Sequence, residues 1–352
     1  IDVTFTDLEK SPQVLLVGFE PEEEAGNVFL RLRKGVIKAG IQVATIAPFA
    51  TRGTTKMRAT LLPTTPGEEA AILTSLKDGG QGETQQGIAQ RLREEGAIIV
   101  VGERLSQSPG GLTAALALAE ETGARLTWIP RRAGDRGAVE AGLLPNLLPG
   151  GRPVEDADAR VDAGAVWGVS NLPTQQGRDL GEILEAATQG DLTALIVGGV
   201  DLNDLPDAEV ATEAISNAFT VQLEVRRSEI TEHADIVLPV APPIQKSGTF
   251  LNWEGRPRSF EQVFESSTRS DAGVLDMLGA AMGTELNIAN LDEIHQQLGE
   301  FANWDGAKAP APNTESAQPV EGEYILATWR MMLDSARGQD GEPHLAGTAH
   351  RP

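Results

Sequence analysis

The densest group of chemistry-bearing side chains lies in the stretch Gly248-Thr249-Phe250-Leu251-Asn252-Trp253-Glu254-Gly255-Arg256, with Arg258 two residues on. Glycines at its bounds permit sharp turns. Amides, the Asn252 side chain and the guanidiniums can then converge on one phosphate or pyrophosphate. The same residues support a second reading, in which Glu254 pairs with an arginine and the loop clamps itself.

Four further loops follow short apolar runs: Gly18-Phe19-Glu20-Pro21, Gly102-Glu103-Arg104, Gly198-Gly199-Val200-Asp201 and the stretch from Glu224 to Ser228. Ligands of open α/β sheets bind beyond the carboxyl ends of the strands, near helix N-termini, so these loops suit a nucleotide. None completes G-x-G-x-x-G, and neither G-x-x-x-x-G-K-[ST] nor G-x-S-x-G occurs. His233, His295, His344 and His350 lack metal-site spacing and read as surface residues. His233-Ala234-Asp235 precedes a strand, where a capping role is ordinary. Asp156, Asp158 and Asp162 lack the glycine and closing glutamate of a calcium loop and read as solvated. With no cysteine, disulfides, thiolate metal sites and a Cys nucleophile are excluded in this stretch of chain.

These loops are positioned by a repeated grammar, in which an apolar run ends in Gly or Pro and a helical pattern follows, as in parallel sheets buried on both faces. The runs Val14 to Val17, Val43 to Ile46, Ile98 to Val101, Arg125 to Ile129, Ala194 to Val197, Val221 to Val225 and Ile236 to Leu238 are predicted strands. A helix is predicted from Pro21 to Ala39, with Glu22, Glu23 and Glu24 in its first turn, basic residues near its end, and Val28, Leu32 and Val36 facing the sheet. Gly40 is placed to end it. A second opens at Thr65-Pro66-Gly67-Glu68, a capping-box spacing. Further helices are predicted at 84–95, after Ser108-Pro109, at 178–189, 207–217, 271–282 and 291–302, with a short one near 228–233.

Gly79-Gly80-Gln81-Gly82 follows a helix rather than a strand and reads as a linker between two α/β units. Residues 131–174 read as a long functional or partner-contacting loop. The expected organisation is residues 1–80 as part of a first α/β unit, 81–302 as a second, 303–323 as an Ala/Pro-rich linker and 324–352 as the start of a C-terminal domain. A net charge of −22 over 352 residues argues against nucleic acid and anionic lipid as partners. No apolar run reaches the ~20 residues of a membrane span. The polar ends and the absence of an initiator Met suggest a piece of a longer polypeptide.

The order of motifs Val14-Leu-Leu-Val-Gly-Phe-Glu-Pro-Glu-Glu-Glu24, Pro66-Gly-Glu-Glu69, Ala234-Asp-Ile-Val-Leu-Pro239 and Lys246-Ser-Gly-Thr-Phe-Leu-Asn-Trp-Glu-Gly-Arg256 resembles the molybdopterin oxidoreductase superfamily. Within it the chain is most similar to the branch found in bacterial proton-translocating NADH:quinone oxidoreductase, respiratory complex I, in its actinobacterial form. Leu326-Ala-Thr-Trp-Arg-Met-Met-Leu333 and Gly341-Glu-Pro-His-Leu-Ala-Gly-Thr348 fit that branch.

The resemblance implies two doubly wound, mostly parallel α/β units of the formate dehydrogenase/DMSO reductase type and a C-terminal barrel domain starting near Tyr324. In active relatives the two units embrace a bis-pterin guanine dinucleotide. Here the matching positions depart from that pattern: Glu20-Pro21 stands for Asn-Pro, Ala47-Pro48 for a strand-end Asp, and Gly199-Val200-Asp201-Leu202 for Gly-Glu-Asn-Pro. The resemblance therefore implies a remnant pocket at Gly18, Glu20, Gly198, Asp201, Thr249, Asn252 and Arg256, and no catalytic or metal-binding residue or cofactor in this chain. Iron–sulfur clusters are expected in an upstream segment, and the other peripheral-arm subunits of complex I as partners, at the inner face of the plasma membrane without direct membrane insertion. Two alternatives stand beside it: a fragment of the catalytic chain of a molybdopterin-dependent formate dehydrogenase, and a stand-alone nucleotide-binding α/β protein.

Overall fold

The computed structural model describes residues 3–302, 304–310, 324–327 and 344. They form two compact units, one built mainly on residues up to 136 with 251–256, the other on 137–250 with 257–309.

In the first unit the elements run α1 (Phe5–Lys10), β1 (Gln13–Val17), α2 (Pro21–Glu24), α3 (Gly26–Ala39), β2 (Gln42–Ala47), α4 (Arg52–Lys56), β3 (Thr60–Pro63), α5 (Glu69–Lys77), α6 (Gly82–Leu92), β4 (Ile98–Val101), α7 (Gly111–Thr122) and β5 (Arg125–Trp128). The strands pair in the order β3-β2-β1-β4-β5, all parallel, with Leu15 opposite both Ala44 and Ile99. Alternate residues of a strand face opposite sides, so a central strand without polar positions needs two covers. Leu15, Val17, Ile46, Ile99 and Val101 pack against Leu73, Leu76, Ile88, Leu92 and Leu118 of α5, α6 and α7. Val14, Leu16, Val43, Ile98 and Val100 pack against Leu8 of α1 and Val28 and Leu32 of α3. This half of the chain is doubly wound, as expected.

Two expectations are corrected here. The sheet does not break at residue 80: β4 and β5 add to β1, and Gly79-Gly80 joins α5 to α6 within one unit. Residues 81–302 are therefore not a single unit. The helix expected from Pro21 to Ala39 is interrupted at Ala25 (φ −156°, ψ 72°). The break accompanies the burial of Glu24, whose carboxylate turns back to accept from the Glu20 N–H. Beyond it, α3 buries Val28 and Leu32 and ends at Gly40 in the left-handed conformation.

The second unit follows α8 (Asp135–Glu140). It holds β6 (Leu147–Leu148), β7 (Arg152–Pro153), α9 (Ala157–Trp167), α10 (Leu180–Gln189), β8 (Ala194–Gly198), α11 (Ala208–Asn217), β9 (Phe219–Glu224), β10 (Ile236–Pro239), β11 (Gly248–Leu251), β12 (Pro257–Phe260), α12 (Asp271–Ala281) and α13 (Leu291–Glu300). The stretch 131–174, expected as a loop, thus carries two helices and a two-stranded ladder. Asp156, expected as solvated, caps α9 by accepting from the Ala159 N–H.

Strands β10-β9-β8 form a parallel sheet, with Ile196 opposite Val221 and Val221 opposite Ile236. Val197 packs with Ala211 and Ile215, and Leu195 with Ala187 and Ala214, so α10 and α11 cover one face. The other face is open: Ile196 is 54% and Phe219 50% exposed. The expectation of a two-sided core around Ala194 to Val197 is corrected to a one-sided one. The segments expected as linker and C-terminal domain lie outside the described residues, apart from 304–310, 324–327 and 344.

Arg152 fastens the second unit. Its guanidinium reaches Asp162 at 2.6 and 2.7 Å, donates to the Pro149 and Phe301 carbonyls at 2.8 Å, and lies 5.2 Å from the Phe301 ring centre. Arg152→Ala is expected to lower the urea-unfolding free energy by about 3 kcal/mol, because two buried carbonyls lose their donor together. An unchanged unfolding midpoint would show that the carbonyls find other donors.

Candidate functional site

The strand order places the switch point between β1 and β4, where successive connections leave in opposite directions and a crevice opens beyond the carboxyl ends. A cleft of about 280 Å³ lies in this end of the first unit, lined by Gly18 to Glu20, Thr45 to Phe49, Thr51, Glu69, Arg104, Ser108 and the backbone segment Ile325 to Ala327, among others. Gly102 lets the two central strand ends approach: a Cβ there would sit 2.3 Å from the Gly18 carbonyl oxygen and 2.9 Å from the Phe19 Cβ.

At the β1 end two glutamates are buried together. Thr51 donates its hydroxyl to Glu20 Oε2, and the Glu22 N–H donates to Glu20 Oε1 at 3.1 Å. Glu24 Oε2 accepts the Glu20 N–H at 2.5 Å and lies 3.4 Å from Arg104 Nη2, while Arg104 Nε–H donates to the Gly18 carbonyl at 3.3 Å. Burial raises both carboxyls above their ordinary value of 4.5; Thr51 opposes this at Glu20 and Arg104 opposes it at Glu24. Ser108 Oγ is buried in the same cleft without a hydrogen-bond partner. The arrangement is a carboxylate floor, Glu20 on the cleft with Glu24 bonded to it from beside, and the guanidinium of Arg104 is already turned onto the protein.

Of the seven residues expected in a remnant pocket, Gly18 and Glu20 line this cleft. Gly198 ends β8 in the second unit, and Asp201, three residues on, caps a 3₁₀ turn through the Asn203 N–H at 2.9 Å. Leu202 beside it is buried with Ala211 and Ile215. Thr249 on β11 shares a hydrogen bond with Ser259 at 3.1 Å. Asn252 and Arg256 belong to a loop tip that packs in the first unit: Trp253 meets Phe5 edge-to-face at 5.0 Å, and Glu254 accepts the Phe5 N–H at 3.1 Å. Arg256 Nε lies 3.6 Å from Glu254 Oε2, and Asn252 donates to the same carboxylate at 2.9 Å. The self-clamped reading of this loop is the one found, and its tip anchors on α1.

Thr51 and Ser108 were missed. Neither belongs to a motif, although Ser108-Pro109 opens the helix expected after β4. His233 bears out its plain reading: it is exposed, and its Nδ1 lies 3.0 Å from Ser216 Oγ. Among the described residues no group of three or more His, Asp or Glu is placed to hold a metal ion.

Comparison with known proteins is consistent with this geometry. Residues 2–274 match the family model described as molybdopterin oxidoreductase. The G subunit of the NADH-quinone oxidoreductase of Mycobacterium bovis is 49% identical over 99% of this chain and 44% of its own length; that of Streptomyces coelicolor is 52% identical over 99% and 43%. The chain thus spans less than half the length of these curated relatives. Among solved structures, acetylene hydratase from Pelobacter acetylenicus aligns with a TM-score of 0.55 at 14% identity, covering 82% of this chain and 51% of that one, a likeness of fold.

Proposed function

We propose, since this chain belongs to the molybdopterin oxidoreductase family, that it is a cofactor-free scaffold of that fold within the G subunit of an NADH-quinone oxidoreductase. The parent complex passes electrons from NADH to quinone, coupled to proton translocation, through iron–sulfur clusters carried outside residues 1–352. Its partners are the other peripheral-arm subunits, at the cytoplasmic face of the membrane. Among the described residues no helix is long and apolar enough to cross a membrane, which accords with a peripheral place. This segment performs no bond chemistry.

The observation that carries the reading is the carboxylate floor. The family's group is a pair of pterin guanine dinucleotides, each with a pyrophosphate, and the first unit's cleft offers such an anion the buried Glu20 and also Glu69, with the buried Glu24 hydrogen-bonded beside Glu20. Arg104, the cation that could answer it, is engaged by Glu24 and the Gly18 carbonyl. Buried like charges a few ångströms apart repel strongly even at an effective dielectric of ~20. At about 280 Å³ the cleft is also at the low edge of the ~300–1,000 Å³ range of ligand pockets, and Ile325 to Ala327 of the chain itself wall it. The residues do not fit the group.

Metal and pterin analysis of the purified full-length complex tests the reading. The expected result is abundant iron, with molybdenum and tungsten far below one atom per complex and no fluorescent pterin on oxidation. Stoichiometric molybdenum or tungsten, or a released pterin, would overturn it in favour of a formate dehydrogenase type of enzyme.

A further inference from the structure

The second unit has a groove of about 740 Å³ between the end of α9, the segment after it, residues 284–288 and α13. Its floor is apolar and open: Trp167 is 39%, Val169 43% and Leu286 38% exposed. Three carboxylates, Glu285, Glu293 and Glu300, line it, and none has a basic partner among the described residues. Among the described residues Glu300 accepts only from Gln296, at 3.2 Å, and Glu293 Oε2 is buried with no hydrogen-bond partner. A buried carboxylate oxygen without a donor is costly to the isolated fold, and a protein partner's cation supplies what it lacks.

We propose that this groove is a docking surface for a lysine- or arginine-bearing, otherwise aliphatic segment of a neighbouring subunit. The inference rests on the reading of the chain as part of a multisubunit complex and adds the face that is used. The aliphatic part covers Val169 and Leu286, and the cation enters between the carboxylates, over the ring of Trp167. Charge selects the partner: the chain carries 51 acidic against 29 basic residues, so its neighbours meet a negative field, and the groove concentrates that field on an apolar floor. Trp167 itself is held rigid by Phe301, edge-to-face at 5.3 Å, a preformed anchor of the kind that dominates interface energies.

Hydroxyl-radical footprinting of the full-length subunit, alone and in the assembled complex, reads the proposal without any mutation. Trp167 is expected to be oxidised in the free subunit and protected several-fold on assembly, and a carbodiimide is expected to link peptide 284–300 to another subunit. Full-length E285K/E293K is expected to bind its partners about thirtyfold more weakly or worse, with an unchanged melting temperature, whereas E285D/E293D retains binding. Equal oxidation of Trp167 in both states, in a complex from which the subunit co-purifies, would overturn the groove and leave the scaffold reading standing. Failure of the subunit to co-purify with any NADH-oxidising partner would overturn that reading and the groove with it.

Discussion

Leu16→Asp is expected to leave the first unit unfolded at neutral pH, Val197→Asp to weaken the second markedly, and Ile196→Asp to change little. Leu16 is fully buried beneath α1 and α3 in the middle strand of five, with neighbours on both sides of the sheet. A carboxylate there has neither water nor a cation, and the effective penalty for such an ion is several kcal/mol, comparable to the ~5–15 kcal/mol that holds a domain together. Val197 is half-buried against α11, so Asp loses apolar packing and some hydration, for about 2–3 kcal/mol. Ile196, one residue away, points to the open face and is 54% exposed; its change stays within about 1 kcal/mol. Urea titrations followed by circular dichroism rank the three. Equal losses for Ile196→Asp and Val197→Asp would show that the second sheet is covered on both faces.

The contrast marks how far local sequence reaches. Val14 to Val17 and Ala194 to Val197 are the same kind of run, four apolar residues ended by glycine, and both are strands. Pattern alone cannot tell whether a second layer arrives, because that layer comes from elements distant in the chain. The same limit explains the misplaced boundary. A Gly-rich stretch at 79–82 marks a chain reversal wherever it falls, and only the pairing of β4 with β1 shows that the sheet continues across it. The Ala25 break was hidden because its cause is tertiary: Glu24 turns inward toward Arg104, 80 residues later.

For the candidate site, the strand-end loops at Gly18 and Gly102 were legible, since a parallel sheet gathers its carboxyl ends at one edge. What fills that edge was not. Thr51 reaches Glu20 from 31 residues away, and no spacing rule connects them. Arg256 shows the reverse case: its motif looks made for a phosphate, yet Glu254 two residues earlier takes it locally.

Removing Arg104 is expected to produce a loss of stability that depends on pH. In Arg104→Ala the Glu24 carboxylate, buried in place, loses its cation, and the Gly18 carbonyl loses a donor. Breaking a buried pair costs ~3–5 kcal/mol; because the Arg104 side chain is 26% exposed, the expectation at pH 8 is discounted to about 2–3 kcal/mol. The sign with pH follows from the raised carboxyls. The unfolded chain releases the Glu24 proton near its ordinary 4.5, whereas the folded chain holds it to higher pH. Between those two values the native state binds more protons, so stability falls as pH rises and the contribution is greatest on the acid side. Without Arg104 the folded value moves further up and the falling window widens. The gap between wild type and Arg104→Ala is therefore largest at pH 8 and narrows toward pH 5, where Glu24 is neutralised by a proton instead of by arginine. Adding Glu24→Gln to Arg104→Ala is expected to restore most of the pH 8 stability and to flatten the profile, because the buried charge has gone. A gap independent of pH, or no rescue by Glu24→Gln, would mean that Arg104 acts through its backbone contact and packing, and the carboxylate floor would lose its place in the account of the cleft.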